Sequence, residues 1–217
     1  DILYVASTFS DSILTFEPAS TADGDIAPDR TISTNHQCAP VFVYIDESND
    51  RMFVACMTSG AVGPGLSGPE SIWIFNHAST LSGTPTPDIK IEGSSTRLSE
   101  GNNRTTHNVW YDPNNSILIV GHHTNEILIY DLTTLNWAPS TTPDIQDLAP
   151  RVLKINEESD DSDQYKWSAY GLFYLPSLDR LYVSAGYAST GSSSGSGGPP
   201  TPGTPMNAVK VYDGVSD

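Results

Sequence analysis

The sequence predicts an all-β fold: a β-propeller of four-stranded antiparallel blades, with about four blades present and both terminal blades incomplete. Three observations predict it. One strand sentence recurs four times along the 217 residues. Turn-forming residues separate the strands at short intervals. No useful length of chain shows the 3.6-residue apolar period of a helix. Radial repetition of four-stranded sheets protects sheet edges, so such a repeat points to a propeller. A sandwich needs no repeated four-strand unit.

The most regular phrase reads Ile2-Leu3-Tyr4-Val5-Ala6, Met52-Phe53-Val54-Ala55, Ile117-Leu118-Ile119-Val120-Gly121 and Leu181-Tyr182-Val183-Ser184-Ala185. Each copy is β-branched or aromatic and closes on a small residue, as strands on a pleated surface do. A further strand follows each copy, at Ser12–Phe16, Ser71–Phe75, Glu126–Tyr130 and Ala208–Tyr212. Three units then close on a strand opened by a proline: Pro28–Ile32, Pro87–Ile91 and Pro150–Ile155. Proline is tolerated at a strand start, where its missing N–H costs no ladder bond. Three units are preceded by one more strand, at Val41–Asp46, Asn108–Asp112 and Gly171–Leu175, with a tight turn into the recurring phrase. The order is therefore a–b–c–d.

The first unit lacks strand a and the last lacks strand d. The blades fall at 1–34, 39–93, 107–156 and 168–217, in one propeller domain or a fragment of one. Open terminal blades expose edges and apolar faces. The sequence thus expects one of three closures: further blades in a longer chain, a second copy as a homodimer completing the ring, or a small ring with two thin blades. The start at Asp1, without Met, fits a removed leader or a fragment.

The wording of two units resembles secreted bacterial proteins with NHL-type propeller repeats. The phrase is Phe16-Glu17-Pro18-Ala19-Ser20, Gly24 and Pro28-Asp29-Arg30-Thr31-Ile32, then Phe75-Asn76-His77-Ala78-Ser79, Gly83 and Pro87-Asp88-Ile89-Lys90-Ile91-Glu92-Gly93. The third and fourth units keep only Tyr130-Asp131 and Tyr212-Asp213. In outline the chain is also similar to six-bladed lactonase-like propellers, a resemblance that implies a metal held by carboxylate and Asn side chains at the channel mouth. No residue of this chain carries that signature over.

The formal charge of −16 argues against nucleic acid, which is bound through cation–phosphate contacts. No run of about 20 apolar residues is present to span a bilayer as a helix. A protein partner, a small molecule or a glycan fits this composition. Low Lys with abundant Asp, Ser and Thr fits an extracytoplasmic place, secreted or periplasmic. Cys38 and Cys56 flank one a–b hairpin nearly opposite each other, so a disulfide is expected, which fits an oxidising compartment. A nucleophilic Cys38 beside His36 is the alternative.

Antiparallel connectivity puts the d-to-a and b-to-c loops on one face. Four of the five histidines fall there: His36, His107, His122 and His123. The expected ligand-binding face comprises these with Asn103, Arg104, Trp167 and Tyr170. A divalent metal such as Ca²⁺ or Zn²⁺ on His107, His122, His123 and Glu100 is the sharper reading, since His is the commonest metal ligand. The acidic run Glu157–Asp163 lacks the order of a Ca²⁺ loop and reads as solvated. Ser189–Pro205 reads as a flexible insertion. The expected function is an extracytoplasmic binding module acting through its loop-rich face; the alternative is a metal-dependent lactonase-like hydrolase at the same face.

Overall fold

A computed structural model describes residues 1–57, 69–99, 106–122, 125–155, 165–189 and 207–216. The fold is all-β, in four sheets that follow the chain. The first holds β1 (Leu3–Ser7), β2 (Ser12–Phe16) and β3 (Arg30–Ser33). The second holds β4 (Ala39–Asp46), β5 (Arg51–Met57), β6 (Ser71–Asn76) and β7 (Ile89–Ile91), with β11 (Asp144–Gln146) added at its edge. The third runs β8 (Thr106–Asp112), β9 (Ile117–His122), β10 (Glu126–Asp131) and β12 (Arg151–Lys154). The fourth is β13 (Tyr165–Leu175), β14 (Arg180–Ser189) and β15 (Asn207–Asp213). Neighbours pair antiparallel, except that β11 lies parallel to β7.

The expected strands are therefore present, with β11 as an addition. It comes from the long connection between β10 and β12, which crosses to the second sheet. Ser140 N–H donates to Asp88 Oδ1 at 2.6 Å, Asp144 N–H to Asp88 O at 2.8 Å, and Asn76 Nδ2 to Trp137 O at 3.2 Å. Trp137 receives the Arg51 guanidinium over its ring at 4.1 Å. A stretch that covers the β7 edge removes a row of unpaired backbone groups.

Strand alternation gives each sheet two apolar faces, and consecutive sheets pack face to face. Tyr4, Ile13 and Ile32 of the first meet Met52, Val54, Trp73 and Phe75 of the second. On its other face the second sheet brings Phe53, Ile72, Ile74 and Ile89 against Val109, Tyr111, Leu118 and Tyr130 of the third. The third turns Ile119, Ile127 and Ile129 to Tyr174, Leu181 and Val183 of the fourth. A ladder of aromatics crosses these junctions along strands β4, β8 and β13. Tyr44 and Trp110 lie 5.2 Å apart between ring centroids, and Trp110 and Phe173 lie 5.3 Å apart. Aromatics here pack between sheets, as tilted and edge-on pairs favour.

The repeated Ala-Ser and Asp positions have a structural reason. Asp50 O accepts the Ala78 N–H at 3.0 Å, and its carboxylate accepts from Ser79. Asp1 does the same for Ala19 and Ser20, and Asp179 for Gly214 and Ser216. Each aspartate ties its b strand's start to the turn after strand c. The Pro-Asp pair has a second duty: Asp29 accepts the Glu17 N–H, and Asp88 the Asn76 N–H, each at 2.7 Å. Cys38 and Cys56 are joined in a disulfide with both residues fully buried. That leaves no thiol on Cys38 for nucleophilic chemistry. No described helix is long and apolar enough to cross a membrane.

Candidate functional site

One device recurs three times at one end of the sheets. Strands β4, β8 and β13 each carry a bulge near their first residues, between Pro40 and Phe42, Thr106 and Asn108, and Ala169 and Gly171. The extra residues are Val41, His107 and Tyr170. A bulge sets two residues against one, bends the strand and re-aims a side chain. His107 and Tyr170, from adjacent sheets, consequently meet with ring centroids 5.3 Å apart. Asn108 Nδ2 donates to Tyr170 O at 2.7 Å and locks the two strands together. Opposite Asn108 sits Gly121, where a Cβ would lie 2.5 Å from Asn108 Oδ1. Beside Tyr170 a hollow of about 430 Å³ is lined by Ser184, Ala185, Ala208 and Val209.

The opposite face of β8 holds a buried polar group. Glu70 stands just before β6, with its N–H on Ser99 Oγ at 3.0 Å and its carboxylate accepting the Thr106 N–H. Thr106 pairs across the hairpin with His122, whose Nε2 lies 3.0 Å from Leu98 O. Glu70, Thr106 and His122 are 5%, 0% and 1% exposed. Burial pushes the Glu70 carboxyl up to about 8, against the pull of the Thr106 N–H. Four buried side-chain polar atoms of the described residues lack a hydrogen-bond partner; Glu70 Oε2 and Thr106 Oγ1 belong here, and Asn108 Oδ1 lies at the same end on the fourth-sheet face of β8. Native proteins hold few such atoms, and each costs on the order of 1–3 kcal/mol.

The sequence-predicted residues are distributed around this end. His36 sits between the first and second sheets, exposed, with Nδ1 2.5 Å from Asp11 Oδ2. His122 faces the second sheet and His107 the fourth, on opposite faces of the third. The bulge explains why one hairpin sends them apart. Tyr170 is half exposed at the β13 bulge. Trp110 and Tyr111 pack in the junctions, Tyr111 stacked on Phe53 at 4.6 Å. Glu100, Asn103, Arg104, His123 and the acidic run 157–163 lie outside the described residues, as does the side chain of Trp167. Among the described residues no three His, Cys, Asp or Glu side chains gather as a metal ion needs. Glu70 and Thr106 do not complete a metal's ligand set by themselves.

Sequence reasoning passed over Glu70. Its signal was a lone acid between a Gly/Pro-rich loop and the apolar strand Ile72–Phe75. Searches against family models and against curated proteins match nothing to this chain.

Proposed function

We propose that the chain is built as a β-propeller and that its loop-rich mouth binds a glycan or a similar small ligand rich in hydrogen-bond donors, outside the cytoplasm. One observation carries the reading: three of the four unpartnered buried polar atoms of the described residues are oxygens at this one end. Polar groups held dry without partners cost stability, and a ligand hydroxyl, which both donates and accepts, satisfies them. The half-exposed Tyr170 ring, packed on His107, offers a stacking surface beside Asn108, on the other face of β8 from Glu70 and Thr106. Repeated bulges at the same end support the assignment, since bulges recur beside functional sites. The four sheets, packed in chain order through equivalent faces, support the propeller reading. The buried disulfide supports the extracytoplasmic one.

The test is thermal unfolding of the protein with a panel of neutral oligosaccharides and, separately, with Ca²⁺ and Zn²⁺. A saturating sugar raises Tm, and the Glu70→Gln, Thr106→Val double variant loses that rise while staying folded. A rise with metal ions only, accompanied by metal-dependent opening of a lactone probe, replaces this reading with the hydrolase one. No rise with any probe, together with a more stable Glu70→Met variant, overturns both.

A further inference from the structure

The three internal junctions follow one rule, and the two outer sheets leave it unfinished. In the junctions after the second and third sheets, the face carrying Tyr44 or Trp110 and its b-strand partner looks toward the next sheet in the chain, and after the first sheet Tyr4 of the b strand does so. Phe53 pairs with Tyr44, and Ile119 with Trp110. On the fourth sheet the same position is Phe173, paired with Tyr182, which pairs in turn with Val211. Ser184 and Val209 continue that face. It is open: Phe173 is 52% exposed, Val209 68% and Val211 51%. At the other end, the first sheet turns Tyr4 and Ile13 inward and leaves Leu3, Val5, Leu14 and Phe16 on its outer side. Leu3 is 47% exposed and Val5 37%. Contiguous apolar patches of this kind mark interaction surfaces.

The two open faces are complementary in kind. The fourth sheet presents what every earlier sheet presents to its successor, and the first sheet presents what every later sheet presents to its predecessor. None of the eight residues Leu3, Val5, Leu14, Phe16, Phe173, Tyr182, Val209 and Val211 is charged, in a chain with a formal charge of −16. Contact through these faces thus avoids the like-charge repulsion that such a net charge imposes elsewhere.

We infer that the outer face of the fourth sheet docks the outer face of the first sheet of a second copy, repeating the internal junction between chains. The contacting surfaces differ, so the contact runs head to tail, and two of them related by a two-fold axis close a dimer. The inference rests on the three junctions, and at Ser184 and Val209 the face borders the hollow beside Tyr170.

Light scattering on the purified 217-residue chain tests it. The expected mass is that of two chains at micromolar concentration. Val209→Asp blocks the fourth-sheet face and Val5→Asp the first-sheet face, so each variant alone runs as a monomer with an unchanged circular dichroism spectrum. Mixing the two restores a dimer, because one junction in the mixed pair joins two unaltered faces. A wild-type chain that stays monomeric across the concentration range overturns the inference. So do species larger than two chains, or a mixture of folded variants that fails to associate.

Discussion

Asp50 holds Ser79 twice: its Oδ1 accepts the Ser79 N–H at 2.8 Å, and its Oδ2 accepts the Ser79 hydroxyl at 2.8 Å. The backbone of Asp50 is left-handed at φ 52°, which the short polar side chain tolerates. Asp179 repeats the arrangement on Ser216, also with a left-handed φ of 47°. Asp50→Ala therefore loses two charge-assisted bonds and places alanine in a strained conformation. We expect it to lower unfolding stability by about 2–3 kcal/mol. Asp50→Asn keeps the left-handed tolerance and part of the bonding, and should lose less. Urea unfolding followed by tryptophan fluorescence checks both.

Glu70 sets a pH dependence. Its carboxyl sits at about 8 in the fold against the ordinary 4.5. The folded state thus holds a proton that the unfolded chain releases above pH 4.5. The group's contribution is fully favourable below that value, declines as pH rises, and levels off once the folded-state carboxyl ionises near 8. The difference amounts to a few kcal/mol, because each tenfold gain in proton affinity is worth about 1.4 kcal/mol. Glu70→Gln removes the titration. The variant's stability should run flatter than wild type between about pH 5 and 8; parallel curves would show that Glu70 is not held neutral.

The disulfide closes a span of 18 residues between Cys38 and Cys56, and both residues are fully buried. Cross-linking a loop of that length restricts the unfolded chain, so the Cys38→Ser, Cys56→Ser double variant should lose about 3 kcal/mol. A mild reductant should not reach the sulfurs without unfolding. Intact mass after alkylation, with and without urea, separates the two states: labelling of the native protein would contradict the burial.

The sheets were legible because their signal is local. A recurring β-branched and aromatic phrase, proline at strand starts and Asp/Asn turns all act within a few residues, and they place four sheets and the order of strands in each. Strand β11 was not, because Asp144–Gln146 pairs with residues more than fifty positions away and its Ile145 is half exposed. The disulfide was legible from counting outward along a hairpin. The sequence reads the bulged end of the sheets as a concentration of histidines and carries no signal of how they are oriented. His107 and His122 look adjacent in a hairpin, yet a one-residue bulge turns them to opposite faces. Glu70 acquires its burial from Ser99 and Thr106, which approach only in the folded chain.

Gly121 tests how the third sheet is held to the fourth. It pairs with Asn108 across the β8–β9 hairpin and faces β13, where a Cβ would stand 3.2 Å from the Ala169 Cβ and 3.3 Å from the Ala169 carbonyl oxygen. The tighter clash, 2.5 Å to Asn108 Oδ1, is with a side chain. That side chain is not free to swing, since its Nδ2 is bound to Tyr170 O at 2.7 Å. Gly121→Ala must therefore break the Asn108–Tyr170 bond or push β13 away from β9. Either leaves buried polar groups unsatisfied, at about 1–3 kcal/mol. The Asn108→Ala change in the same background removes the obstructing oxygen and should recover part of the loss. Unfolding midpoints of the two single variants and the double variant form a cycle, and additive losses would show that Gly121 and Asn108 do not constrain each other.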